Sequence, residues 1–575
     1  MGLDVTSLNH RRAVNRWERV SVGDMLERLT WSYPEKEAIV GWAGAYAHQE
    51  NARLTYRQAD ARVAQVAAGL LARGLRPGDR VLLCCENSVE AYLVKLGAAR
   101  AGLVCAPVNP SLAADVISHL IERVEPSLAV VDAAVWQHVE PAFAAHRLAP
   151  DITITIGGDV VEGSVTFAEF TRDQPVTEPD VAVHGDDIWE ILFTSGTTAL
   201  PKGAMVSHHS TYFGAYSFAL TLTRGVHLEC DLKVATFLPI IYHVADQVFT
   251  FPAFLSGGTL LIGRQPSPRA IAEAITRERV TALWAGSPMM ASALAAQLRE
   301  DPVAYDPRSL KVLVYGWAAL PPGTLATFKR LCGEDLVAVE IFGQTEAISC
   351  HRFWPDKWTE TYLATSPEQN YVGVPNPLLA ATVMDETGGM LDGKPGVPGE
   401  AVYRSPAITA GYYRDEQATA EAFRDGWFHS GDSCVYDEQG LRIMVDRYKD
   451  IVKTGGENVS SQRVEAVLAQ HPGVARVAVI GLPHPRWGEA VTAVVVPDPV
   501  HPDPARPDPV HPGTVPTDPA PPVTAADLIA FCRQRLAGFE TPKDIVFASA
   551  LPETVGGKVL KYRLRAAHAA HYQQG

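Results

Sequence analysis

The stretch Ile191 to His208, I-L-F-T-S-G-T-T-A-L-P-K-G-A-M-V-S-H, decides how the rest of the chain is read. An apolar run, Ile191-Leu192-Phe193, breaks into a loop dense in hydroxyls and glycine, Thr194, Ser195, Gly196, Thr197 and Thr198, then reaches Pro201-Lys202-Gly203. Backbone N–H groups left unpaired by a glycine-bearing turn, together with hydroxyl donors and one ammonium, suit a polyphosphate. The Walker pattern requires a second glycine five residues after the first. Counted from Gly196 that position is Pro201, so an ordinary P-loop ATPase is disfavoured.

The chain around this loop is 575 residues long, more than one hydrophobic core can serve, so it should divide into several units. Hydrophobic residues make up 47% and charged residues 20%, the composition of an ordinary globular protein. A net charge of −15 gives no electrostatic support to a nucleic-acid or anionic-membrane role, both of which call for a basic face. The eight cysteines are scattered, with Cys84 and Cys85 adjacent and no C-x-x-C pair, which suits buried thiols in a reducing compartment. No apolar run reaches the length of a membrane helix, and the first residues lack a signal-peptide plan, so a cytoplasmic location is expected.

From Leu54 to Asp132 the pattern alternates: helix Tyr56 to Ala72, strand Val81 to Cys85, helix Val89 to Ala101, strand Val104 to Val108, helix Ala113 to Val124 and strand Leu128 to Val131. Strands alternating with helices across short turns predict a parallel sheet covered by helices. A second α/β stretch follows the phosphate loop. It comprises strand Val234 to Ile241 ending at Tyr242-His243, helix Ala270 to Arg279, strand Ala282 to Ala285, strand Val312 to Tyr315 running into Gly316-Trp317-Ala318, and strand Val337 to Phe342. Ligands collect beyond the carboxyl ends of such strands, which is where Gly316, Trp317, Ala318 and Gly343 would lie.

Between Val372 and Met444 short alternating runs and glycines predict antiparallel β structure, consistent with a small barrel. Asp446 to Asn458 reads as a boundary, followed by a self-contained α+β pattern: helix Gln462 to Gln470, strands Val474 to Ile480 and Val491 to Val496, and helix Ala525 to Leu536. Thr524 and Asp527 start that last helix and Gly538 would stop it. Pro497 to Pro522 is too rich in proline for a ladder or a helix interior and should be an extended surface loop. The expected division is therefore residues 1–448 as a large N-terminal domain and 449–575 as a C-terminal lid.

T-S-G-T-T-x-x-P-K-G resembles the signature of the adenylate-forming enzymes, the superfamily of acyl-CoA synthetases, peptide-synthetase adenylation domains and firefly luciferases. R-L-T-Y-R-Q-A-D, P-G-D-R-V and A-G-L-V-C-A-P-V-N-P also look like N-terminal segments of that family. Four later motifs agree in order: F-G-Q-T-E at Phe342 to Glu346, W-F-H-S-G-D at Trp427 to Asp432, D-R-Y-K-D at Asp446 to Asp450, and P-E-T-V-G-G-K near the C-terminus. The resemblance implies two doubly wound α/β subdomains plus a small β-barrel in the N-terminal domain, with a mobile α+β domain after it. Ala199 stands where the family usually has glycine, and Ser430 where it has threonine.

A carboxylate is a poor acyl donor, because its charge repels nucleophiles and oxide is a bad leaving group. Joining it to AMP removes both obstacles. By the resemblance, Thr194, Ser195, Gly196, Thr197, Thr198 and Lys202 hold the β- and γ-phosphates. Glu346, with Thr194, is the magnesium ligand. Thr345 donates to the α-phosphate, and Phe342 stacks on adenine beside Gly316, Trp317, Ala318 and Gly343. Asp432 accepts the ribose hydroxyls and Arg447 donates to the same sugar. His243 is the wall of the carboxylate pocket. Lys558, carried on Gly556 and Gly557, is the catalytic lysine. Lys449 is the hinge, and Lys453, Gly455 and Gly456 in V-K-T-G-G-E-N receive the pantetheine arm of CoA.

The implied activity is that of an acid–CoA ligase using ATP, Mg²⁺, CoA and a small carboxylic acid. The alternatives are a stand-alone enzyme passing the adenylate to a carrier protein, an amine or another nucleophile, and a scaffold that keeps only the fold. The joint presence of Glu346, Asp432, Arg447 and Lys558 argues against the scaffold. Gly343 leaves open a position that acetate-specific relatives block with tryptophan, while Trp317 replaces a glycine common in fatty-acyl relatives. Together they suggest an aryl, cyclic or short-to-medium-chain acid.

Overall fold

A computed structural model of the chain describes residues 19–194, 201–223, 227–242, 244–385, 387–447, 450–454, 457–498, 523–553 and 559–572. Contacts divide it into two compact units. The first takes in Met1–Thr359, Val372–Ala381 and Tyr403–Phe428. The second takes in Glu360–Tyr371, Thr382–Val402 and His429–Gly575.

The first unit holds two mainly parallel sheets. One has seven strands in the order Val165–Thr166, Ile152–Ile154, Leu128–Asp132, Arg80–Cys84, Val104–Pro107, Ile188–Phe193 and Gly203–Ser207; its last pair alone is antiparallel. In the other, Glu37–Trp42, Thr259–Gly263, Lys233–Thr236, Ala282–Trp284, Val312–Gly316 and Val337–Gln344 run parallel, with Arg53–Thr55 and Ala347–Phe353 antiparallel at the two ends of this run. The near-continuous apolar strands, such as V-L-L-C and L-A-V-V, are those of sheets covered on both faces. Helices start where the sequence supplies caps. Thr55 and Gln58 form a capping box before Tyr56–Ala72, and Ser88 caps Val89–Arg100, every residue of which is buried.

In the first unit the predicted elements fall within one or two residues of those observed, with one exception. The strand expected over Val234 to Ile241 stops at Thr236. Pro239 lacks the N–H a ladder needs, and the chain instead turns into a π-helical segment, Ala245–Thr250.

Ala380–Met384, Gly399–Arg404, Trp427–Tyr436 and Arg442–Arg447, most of whose residues belong to the second unit, lie side by side in that order. Beyond them Val474–His484 and Gly488–Pro497 form a long hairpin, with Asp544–Phe547 parallel to its second strand and Ser461–Leu468 and Ala525–Arg533 packed alongside. Thr524 and Asp527 make the expected capping box, although the helix ends at Arg533, well before Gly538. The contact division also differs from a cut at 448. Ser460 Oγ donates to the Val445 carbonyl at 2.8 Å, and Ser461 donates twice to Asp446, at 2.7 and 2.6 Å. The strand before the expected boundary is thus bonded to the helix after it. The proline-rich loop from 499 to 522 lies outside the described residues.

Candidate active site

The phosphate loop connects two paired strands, with Phe193 opposite Gly203. Its base is closed by two bonds: Thr194 N–H to the Lys202 carbonyl at 2.9 Å, and Lys202 N–H to Thr194 Oγ1 at 3.1 Å. Ser195, Gly196, Thr197 and Thr198 lie outside the described residues, as do His243, Lys449, Gly455, Gly456 and Lys558.

Thr345 and Glu346 form the tip of another hairpin, where Gln344 pairs with Ala347. The segment Thr409 to Tyr413 bridges the two hairpins. Met205 N–H donates to the Gly411 carbonyl at 2.9 Å, Tyr413 N–H to that of Gly203 at 2.8 Å, and Thr409 N–H to that of Glu346 at 2.8 Å. Tyr412 is the joint: its hydroxyl donates to Glu346 Oε1 at 2.6 Å, and its ring lies 4.8 Å from the Lys202 ammonium. Carboxylate and ammonium are therefore set on one phenol. Sequence reasoning missed Tyr412, whose signal lay in the A-G-Y-Y run after a proline-bearing stretch, too short to stand alone.

Phe342 lies opposite His351, with ring centroids 6.2 Å apart. Two residues earlier, burial drives the Glu340 carboxyl far above the usual range, against a hydrogen bond from Tyr315. Gly316 needs to be glycine, since a Cβ there would sit 2.6 Å from the Ile341 carbonyl oxygen. Trp317 follows at φ +73°, a left-handed conformation that costs an L-residue about 1–2 kcal/mol. Its indole meets Trp284 edge-on at 5.6 Å, and Trp284 stacks on Phe249 at 4.7 Å, so the first unit carries an aromatic wall.

Behind these loops lies a fully buried ionic cluster that sequence reasoning also missed. Lys95 Nζ is 2.6 Å from Glu190 Oε1 and 2.8 Å from Asp246. It joins the helix Val89–Arg100, the strand that feeds the phosphate loop and the π-helical segment Ala245–Thr250, which begins two residues after His243. Burial raises both carboxyls despite the ammonium, while Lys95, opposed by burial, is held above its ordinary value by the two acids. The signal was a glutamate inside I-W-E-I-L-F, a charge where a buried strand has no use for one.

In the second unit Asp432 and Arg447 stand opposite each other on antiparallel strands, with Arg447 Nε 2.7 Å from Asp432 Oδ1. Ser430 Oγ accepts from Asp432 N–H at 3.1 Å and donates to the Ala401 carbonyl at 2.5 Å, so the serine replacing threonine anchors this element. Lys453 is exposed on the short strand Val452–Thr454, and its N–H donates to Glu489 at 2.7 Å. The seven described cysteines are free thiols, and all but Cys230 are buried. Among the described residues no helix is long and apolar enough to cross a membrane.

Two hydroxyl- and carboxylate-bearing hairpin tips tied through one tyrosine, and a carboxylate–guanidinium pair in the second unit, fit a nucleotide-activating enzyme. Residues 26–413 match the family model for AMP-binding enzymes, and residues 463–558 match that for the AMP-binding enzyme C-terminal domain. The chain belongs to the AMP-binding enzyme family. Within it, the chain is an adenylate-forming enzyme of the acyl-CoA synthetase group. A feruloyl-CoA synthase from an Amycolatopsis species is 33% identical over 537 residues, covering 93% of this chain and 98% of that protein. The long-chain-fatty-acid–CoA ligase FadD13 of Mycobacterium tuberculosis is 30% identical over 555 residues, covering 95% and 99%. ATP-bound MatB from Rhodopseudomonas palustris superposes with a TM-score of 0.77 at 26% identity, covering 96% of this chain and 100% of that one. The α/β plan of a large N-terminal and a smaller C-terminal domain is shared with such structures.

Proposed function

We propose that this chain activates an aryl, cyclic or short-to-medium-chain carboxylic acid as its acyl-adenylate and transfers the acyl group to CoA. A carboxylate oxygen attacks the α-phosphorus of ATP, the bond to the β-phosphate oxygen breaks, and pyrophosphate leaves. The CoA sulfur then attacks the acyl carbon, gives up its proton and expels AMP.

The observation that carries this reading is the joint made by Tyr412 between Lys202 and Glu346. Lys202, with Thr194 to Thr198, holds the β- and γ-phosphates, and Thr345 orients the α-phosphate. Glu346 suits Mg²⁺, since it is a hard carboxylate of which Tyr412 engages only Oε1. That cation prefers one or two carboxylates plus substrate phosphates, and when bound it supplies charge neutralisation. Thr194 is its second contact. Phe342, Gly316, Trp317, Ala318 and Gly343 cradle adenine and the acyl group, Asp432 and Arg447 take the ribose, and His243 faces the carboxylate.

Lys558 offsets the charge where carboxylate and triphosphate meet. A thiol must then reach the same carbonyl, so the lysine-bearing loop has to leave. Lys449 is the pivot of that change, and Lys453, Gly455 and Gly456 then receive pantetheine. The free thiols among the described residues and the net charge of −15 support a cytoplasmic enzyme with no nucleic-acid partner.

The test is carboxylate-dependent pyrophosphate exchange over a panel of acids, repeated as product analysis with and without CoA. Exchange followed by thioester formation is expected. Exchange without thioester would point to a carrier protein or an amine as acceptor, and no exchange with any acid would leave only a scaffold.

A further inference from the structure

Arg352 lies on the strand that runs back from Glu346, directly opposite Ile341 in antiparallel register. Residues so paired project from the same face of a sheet. Ile341 belongs to the apolar cluster that includes Phe218, Phe249 and Trp284, the last of these carrying the edge contact with Trp317. The guanidinium is therefore inserted on the face of the aromatic wall, and Arg352 is only 6% exposed.

Its partners there are few. Nη2 donates to the Ser217 carbonyl at 3.4 Å and to Ser217 Oγ at 3.0 Å, and the guanidinium carbon stands 4.9 Å from the Phe218 ring. Ser217 Oγ is engaged in turn with Asn376 Oδ1 at 2.8 Å. Nε is buried with no acceptor, and among the described residues no carboxylate acts on Arg352. The other buried cations of this unit are not left so: Lys95 faces Glu190 and Asp246, and Arg100 faces Asp60 and Glu178. Burial without a counter-charge pushes Arg352 down to about 10, which still leaves it charged at neutral pH. A second donor in the same cluster, the Trp284 indole N–H, is also buried without an acceptor.

A buried, hydrogen-bond-poor cation calls for an anion that arrives with a ligand. We propose that Arg352 is the receptor for a second, non-reacting carboxylate on the acid substrate, so that the enzyme prefers dicarboxylic acids. The inference rests on the ligase reading given above. A planar guanidinium with an unused Nε–H matches a carboxylate better than a hydroxyl or a neutral carbonyl. A site built around such a group discriminates sharply against an analogue that lacks it, because the buried donor is then left unpaired.

The experiment compares a homologous series of dicarboxylates, including an aromatic one, with monocarboxylates of the same length, by pyrophosphate exchange with the full chain. The best dicarboxylate is expected to exceed its monocarboxylate counterpart in kcat/KM by roughly ten-fold or more. Arg352→Met should abolish that margin, chiefly through KM for the dicarboxylate, and Arg352→Lys should restore part of it. Exchange with monocarboxylates at equal or better efficiency would overturn the proposal while leaving the ligase reading intact. So would an Arg352→Met loss that is equal for both classes, which is the behaviour of a merely structural arginine. Failure of exchange with every acid would remove both readings. Should Arg352→Met not fold, the wild-type comparison decides alone.

Discussion

Replacing Trp317 by glycine sets three opposed effects against one another, and the structure gives a size to each. The side chain is 46% exposed, so a little over half of an indole's ~250 Å² is covered, and losing that cover costs about 3 kcal/mol. Against this, the residue sits at φ +73°, and glycine relieves a conformational cost of about 1–2 kcal/mol there. Glycine's greater freedom in the unfolded chain adds roughly 0.5–1 kcal/mol back to the cost. The net expectation is destabilisation of about 2 kcal/mol for Trp317→Gly. Trp317→Ala loses the same cover but keeps the strain, so it should be less stable than the glycine variant by about 1 kcal/mol, the reverse of the usual order. Urea unfolding of the three proteins reads this directly from midpoints at unchanged slope. In activity, Trp317→Gly should extend the preferred acid, at about 0.8 kcal/mol for each newly buried methylene. An alanine variant as stable as the glycine one would refute the strain argument. An unchanged chain-length preference in a folded protein would refute the placement of Trp317 in the acyl pocket.

Lys558→Ala should lose at least roughly 10²-fold in adenylation, yet recover most of its thioester rate when given pre-made acyl-adenylate. Tyr412→Phe removes the donor to Glu346 but keeps a ring for Lys202, so it should lower kcat/KM for ATP by roughly ten-fold and leave selectivity among acids unchanged. Burial holds the His208 imidazole down at about 3, where its Nδ1 accepts from Val22 N–H at 3.2 Å. Its contribution to stability is complete above an unfolded value of about 6.5 and is lost as pH falls toward 3, reaching about 2 kcal/mol of loss at pH ~5; His208→Gln should flatten that acid limb in unfolding titrations. Lys95→Met leaves Glu190 and Asp246 buried without their cation and should cost about 3–5 kcal/mol at neutral pH, with part regained in mild acid as the carboxyls take up protons.

Most of the architecture could be read from local pattern. The alternation between Leu54 and Asp132 and the capping signals at Thr524 specify elements from neighbouring residues alone, because helix and strand periodicity and cap chemistry act over a few positions. The strand that ended at Thr236 was overread because the apolar run outweighed one proline. The motif order, from Thr194 to Lys558, likewise needed only the chain itself.

What only the tertiary structure decided is how residues far apart in sequence meet. Tyr412 reaches Glu346 from 66 positions away, and Lys95 reaches Asp246 from 151. Arg352 depends on Ser217, 135 positions distant, and on having no acid beside it. No periodicity carries such information, since a lysine or arginine reads as a solvated charge until the fold removes water from around it. Burial turns those side chains from surface charges into a joint, a buried ionic cluster and a waiting cation, and burial is a property of the packed sheets rather than of any stretch of the chain.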